Sequence, residues 1–210
     1  MLEYSYGVKM FNEEKSIKRF LDNLNLENLS DMDKLIKVTE AVAAIPWGEA
    51  RSIEEVFRKG IGTCTGKHKV LGACYKQLGI KYHDVVVTFR WQDQKIKYPE
   101  EIQSILDEGP WLHGHNFIQL ENGLNIDIIF NSELREYGFK TFPQDWDGQR
   151  SFIGFDNLLD RWDDNDSDKI KKDLIENLKP DEKERRKRFL YMFIKWVSTL
   201  NISAKPLIKN

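Results

Sequence analysis

Gly62-Thr63-Cys64 puts a thiol at the entry to a run with helical periodicity. The first turn of a helix offers unpaired backbone N–H groups and the positive end of the macrodipole, and both favour a thiolate over a thiol. Cys64 is on that ground a candidate nucleophile. The plainer reading is a small core residue, and a nearby base decides between the two. His115 opens a segment of alternating polarity, and Asp127 lies in the next such segment, past Glu121-Asn122-Gly123. A two-residue Asn-Gly turn would set Ile118 opposite Asp127 and send His115 and Asp127 to different faces. A three-residue turn with Gly123 left-handed pairs Ile118 with Ile126 instead. That register gathers Ile118, Leu120, Leu124, Ile126, Ile128 and Phe130 on one face and His115, Phe117, Gln119, Asn125 and Asp127 on the other, so the hydrophobic pattern selects it. Asp127 then lies diagonal to His115, roughly 5 to 8 Å away, within reach of a carboxylate–imidazole hydrogen bond. Thiolate, imidazole and carboxylate together are the equipment of nucleophilic acyl transfer.

The elements that must position these groups are legible from period and caps. Ser16 to Leu26 carries Ile17, Phe20, Leu21 and Leu24 at helical spacing, and a second helix, capped by Ser30 or Asp31 and stopped by Pro46, carries Leu35, Val38, Val42 and Ile45. Ser52-Ile-Glu-Glu55 is a capping box for a short helix that Gly60 and Gly62 close. The helix from about Cys64 carries Val70, Leu71, Cys74 and Leu78 and ends at Gly79. The period then becomes two: Val85, Val87, Phe89 and Trp91 mark one strand, His115 to Leu120 and Leu124 to Phe130 two more. From about Phe152 the chain returns to helix, first near Asp168 to Leu178 and then after Pro180, with Phe189, Met192, Phe193, Trp196 and Leu200 on one stripe. Helices first and strands second predict an α+β fold with an antiparallel sheet.

The chain's 210 residues suit one domain rather than two. We expect a single domain over 1–210, a catalytic core over 32–145 and a C-terminal helical extension over 150–210. Lys and Arg number 32 against 34 Asp and Glu, which gives no net attraction to phosphate, and nucleic acid is not an expected partner. No apolar run reaches the roughly 18 residues of a membrane helix. The acidic stretch Met1 to Glu14 lacks the pattern of a signal peptide, so no membrane association and a cytoplasmic location are expected. The two cysteines, on one helix, are expected to be free thiols.

The stretch Ser52 to Cys64, the helix to Leu78-Gly79-Ile80, His115-Asn-Phe-Ile-Gln119 and Asn125-Ile-Asp127 resemble the transglutaminase-like superfamily over about Leu35 to Phe130. The resemblance implies a papain-like core, a Cys-headed helix packed on an antiparallel sheet that bears His and Asp, here with extra N- and C-terminal helices. It implies a triad of Cys64, His115 and Asp127. Trp47, in Ile-Pro-Trp-Gly, looks like the aromatic whose indole N–H helps stabilise the oxyanion, and Phe117, Trp111 and His113 are candidate substrate contacts. Phe117 stands where the family usually has Trp, and Gln119 where an acid is common. The implied activity is thiol-dependent acyl transfer on peptide or amide bonds through a thioester, with hydrolysis favoured over transamidation. The substrate would be a peptide or protein, with an amine as a further acyl acceptor. The alternative is an inactive module of the same fold that binds peptides or proteins.

Rival motifs are weaker. Ile61 to His68 approaches a phosphate-binding loop at Gly66-Lys67 but lacks its first Gly and final Ser/Thr. His113 and His115 lack a paired zinc signature, and no metal or other cofactor is expected. His68 and His83 show no constellation in the sequence. Asp163 to Asp168 reads as a solvated linker and helix cap rather than a calcium loop. Lys183 to Arg188 reads as a solvated helix face, with binding of an acidic partner as the sharper reading.

Overall fold

A computed structural model describes residues 11–163, 166–200 and 205–207. Most of the Met1–Glu14 stretch and two residues of the Asp163–Asp168 run lie outside the described residues. Helix α1 (Glu13–Asp22), α2 (Asp31–Ala43), α3 (Ile53–Lys59) and α4 (Cys64–Gln77) precede strand β1 (Tyr82–Phe89). Ser30 caps α2, and Ser52 with Glu55 closes the expected capping box on α3. Helix α5 (Glu100–Asp107), β2 (His113–Leu120), β3 (Asn125–Ile126) and β4 (Arg161–Asp163) follow, then α6 (Ser167–Glu176) and α7 (Pro180–Leu200). The four strands form one antiparallel sheet in the order β3-β2-β1-β4, so the fold is α+β. Among the described residues no helix is long and apolar enough to cross a membrane.

The β2–β3 register is the one the hydrophobic pattern selects: Ile118 pairs with Ile126 and Gln119 with Asn125, and Gly123 turns the chain at a φ of 85°. Ile118, Leu120, Ile126 and Ile128 then pack with Val38, Val42, Val70 and Leu71 in a core between the sheet and α1–α4. A second cluster, rich in aromatics, joins Phe89, Trp91 and Trp111 to Phe189, Phe193 and Val197 of α7. These residues are the buried face of α7, as its apolar stripe foretells.

Four expectations need correction. Trp91 lies outside β1, in a 3-10 turn over Trp91–Asp93. The strand expected over Leu124 to Phe130 pairs with β2 only at Asn125–Ile126, and the chain then bonds instead to Phe152, by Asp127 N–H to Phe152 O at 3.1 Å and Phe152 N–H to Asn125 O at 2.9 Å. Phe130, freed from the ladder, joins the aromatic cluster rather than the face of Ile126. The C-terminal segment is more than a helical extension, because it supplies β4, whose Trp162 pairs with Val86 at the sheet edge.

Candidate active site

The early exit of β3 makes room for the site. Opposite Ile118 and Gln119 the sheet continues, but beside His115 and Asn116 the β3 side of β2 has no strand. The N-terminus of α4 occupies that gap. Its position is fixed by a short crossing of two loops: Gly62 N–H donates to Pro46 O at 3.0 Å, Gly48 N–H to Gly62 O at 3.2 Å and Thr63 N–H to Ala50 O at 2.9 Å. Thr63 caps α4, its hydroxyl accepting from Gly66 N–H. Cys64, half-buried, is thereby set at the first turn of α4 against β2.

His115 and Asp127 are buried and joined, His115 Nε2 lying 2.7 Å from Asp127 Oδ2. The carboxylate is held in turn: Gly154 N–H donates to Oδ2 at 2.8 Å and Ile129 N–H to Oδ1 at 3.2 Å. Only glycine suits position 154, since a Cβ there would meet Ile129 Cγ2 at 2.7 Å and Asp127 Oδ2 at 3.2 Å. With Nε2 engaged, Nδ1 is the ring nitrogen left for Cys64. It makes no well-aligned hydrogen bond, yet the thiol and the ring are close enough to shift each other's proton affinity. Long or misaligned contacts of this kind are common in unliganded catalytic pairs.

Burial would raise the Cys64 thiol, but the Lys171 ammonium, His115 and the backbone N–H of Asn116 outweigh it and bring its pKa to about 6. Burial would lower His115, and the Asp127 carboxylate, helped by Cys64, carries it to about 9. For Asp127 the penalty of burial is overcome by His115, which holds the carboxyl below its usual range. Between those two pKa values the ground state is a thiolate–imidazolium pair stabilised by a buried carboxylate.

Lys171 is a site residue that the sequence reading missed. It comes from α6, donates to Asn116 Oδ1 at 2.6 Å and bonds the Thr65 hydroxyl, which lies 4.0 Å from the Cys64 sulfur. Gly114 permits this approach, because a Cβ there would meet Lys171 Cγ at 3.0 Å and Leu174 Cδ1 at 3.1 Å. No local pattern singles out Lys171 among its lysine neighbours. His68 was also missed. Its Nδ1–H donates to Cys64 O at 2.8 Å, while Nε2 accepts from Ile128 N–H at 3.2 Å and sits 3.6 Å from Asp127 Oδ1. Burial lowers its pKa to about 4, so it is a neutral strut between the helix of Cys64 and the strand of Asp127. The absence of a constellation around His68 is thus overturned; its i+4 spacing from Cys64, on one face of α4, was the available signal. Lys67, from the motif resembling a phosphate loop, points into the interior, where Nζ donates to Ala43 O at 2.9 Å and Ile129 O at 3.2 Å.

A cavity of about 560 Å³ opens over the sulfur, lined by Trp47, His113, His115, Phe89, Phe155 and Ile129 among others. Trp47 packs edge-on against Phe193, 5.1 Å between ring centres, and its backbone N–H donates to Asn131 Oδ1 at 2.9 Å. His113 lies against Phe89 and Trp91, and burial pushes its pKa well down. Phe117 and Trp111 do not line this cavity. Phe117 is enclosed by Val85, Val87 and Ile153, two positions further along β2, and Trp111 packs on Phe189 behind the cavity wall. The Gln92–Pro110 stretch contains α5, which packs on α7. Among the described residues no three His, Cys, Asp or Glu side chains gather as a metal site. No family model, no curated protein and no solved structure matches this chain.

Proposed function

We propose that the protein is a thiol-dependent acyl-transfer enzyme acting on peptide or amide bonds, with the papain-like organisation of the transglutaminase-like superfamily. The observation that carries this reading is the convergence on one cavity of a cysteine in the first turn of α4 and a histidine whose far nitrogen is bound to a buried carboxylate. The Cys64 thiolate attacks the carbonyl carbon, forming the C–S bond and moving the carbonyl π pair onto oxygen. The Cys64 N–H at the helix start and the Trp47 indole are the proposed oxyanion donors. Collapse of the intermediate breaks the C–N bond, and the His115 imidazolium gives its proton to the leaving amine. Water then attacks the thioester, His115 takes the water proton, and the thiolate departs; an amine in place of water gives transamidation. Phe117 and Trp111 have no part in substrate contact, whereas His113 keeps one.

The test is alkylation of Cys64 by iodoacetamide as a function of pH, located by mass spectrometry. The rate is expected to rise through a pKa of about 6, and the acyl-transfer rate is expected to fall again through about 9 as the imidazolium is lost. A Cys64 that alkylates as an ordinary thiol, with a midpoint near about 8.5, refutes the reading.

A further inference from the structure

The basic cluster Lys183–Arg188 is not uniform. Lys183 Nζ donates to Glu176 O at 2.8 Å, Arg185 pairs with Asp181 at 2.9 Å and Arg188 grips Glu108 with its two terminal guanidinium nitrogens. Arg186 and Lys187 pair with no acid among the described residues. Arg186 is half-buried and shares the lining of one hollow with Arg51, which likewise pairs with no acid among the described residues; burial and the charge of Arg51 both depress the proton affinity of Arg186. Two like charges lining one hollow, with Glu49 the one carboxylate beside them, disfavour the unliganded state, and an anion between them relieves it.

Their position gives that anion an address. Arg51 follows the loop crossing that seats Cys64, and both arginines line the cavity above the sulfur. They also line a second hollow of about 410 Å³ that runs outward along α7, past Leu190, Tyr191 and Ile194 to Lys195. Positions 187, 191 and 195 recur at one-turn spacing, so they form one exposed ridge of α7. Four cations and one carboxylate, Glu49, border this hollow. Its floor is apolar, and Tyr191 is 69% exposed there, one of few large hydrophobic side chains so placed. A small anion would occupy only the arginine pair; the apolar floor and the outer lysines continue well beyond it.

We infer that this groove binds an acidic peptide segment, so that the acyl donor is a peptide bond flanked by glutamates or aspartates. The inference rests on the acyl-transfer reading for the role of Cys64. A peptide is favoured over a nucleic acid because the groove ends at a nucleophile suited to an amide carbonyl, which a nucleic-acid backbone lacks.

The experiment is fluorescence anisotropy with full-length Cys64→Ser protein and dye-labelled peptides in which glutamate, glutamine or lysine alternates with glycine. The glutamate peptide is expected to bind at least about tenfold tighter than the glutamine one at low salt, and the double variant Arg51→Gln/Arg186→Gln to lose about tenfold. Arg51 is exposed, so Arg51→Gln alone provides a variant whose folding is not at stake, with a smaller loss expected in the same direction. Glutamate and glutamine peptides within about twofold of one another, or an affinity indifferent to both arginines, overturn the inference. An oligonucleotide of equal charge that binds as tightly overturns it also, since the groove would then select charge alone. The anisotropy does not involve the sulfur: slow alkylation of wild-type Cys64 refutes the thiol chemistry alone, and loss of peptide discrimination refutes the groove alone.

Discussion

Cys64 and Cys74 lie on the same helix in opposite surroundings, which bring the first thiol down to about 6 and push the second up to about 12. Cys74 is fully buried among Val70, Leu71 and Tyr75, and nothing there compensates a charge, so burial alone pushes its thiol up. Cys64 is also withdrawn from water, but it meets the Lys171 ammonium, the His115 imidazolium and the backbone N–H of Asn116 in β2. What strand β2 and helix α6 bring to the first turn of α4 has no counterpart around Cys74. One end of α4 is a packing element and the other a charged assembly, and the two are only ten residues apart in chain.

That contrast is open to direct attack. Cys64→Ala should abolish turnover of any accepted substrate, a loss of about a thousandfold or more, and remove the fast-alkylating site; turnover that survives the substitution ends the comparison. Asp127→Asn should keep the fold of the site but release the imidazolium, moving the Cys64 titration upward from about 6 and slowing alkylation near neutrality by about 10- to 100-fold, with recovery at alkaline pH. Lys171→Met removes the ammonium but leaves the His115–Asp127 pair in place, so a smaller upward shift is expected, with a rate loss of about three- to tenfold confined to the acid limb; an unchanged limb would show that Lys171 acts only through Asn116. Cys74→Ala should leave the rate and its pH profile untouched and cost about 1 kcal/mol in denaturant unfolding, the signature of a packing residue.

The parts of this architecture that were readable beforehand are those written in local pattern. The β2–β3 register followed because a single pairing puts Ile118, Leu120, Ile126 and Ile128 on one side, and a one-residue slip would have set Asp127 beside Ile118, on the face opposite His115. The start of α4 and the His115–Asp127 bond came from the same kind of reasoning. Lys171 was not readable, because its contact with Thr65 spans 106 positions and α6 offers several lysines of equal local standing. Nor was the sorting of Lys183–Arg188, which depends on Glu108 and Asp181 claiming two arginines and leaving Arg186 beside Arg51. Phe117 was misjudged because sharing a face with His115 does not mean sharing a cavity: two positions along the strand, Ile153 and Leu158 already cover it.

The distance along the chain between Lys171 and the thiol it charges also orders events in time. The ribosome releases Cys64, His115 and Asp127 well before the segment that carries Lys171, 106 positions after Thr65. For that interval the sulfur lacks its strongest cation and sits nearer an ordinary thiol, less reactive toward oxidants and electrophiles. The depressed proton affinity of Cys64 thus depends on a contact that exists only once α6 has docked over Gly114.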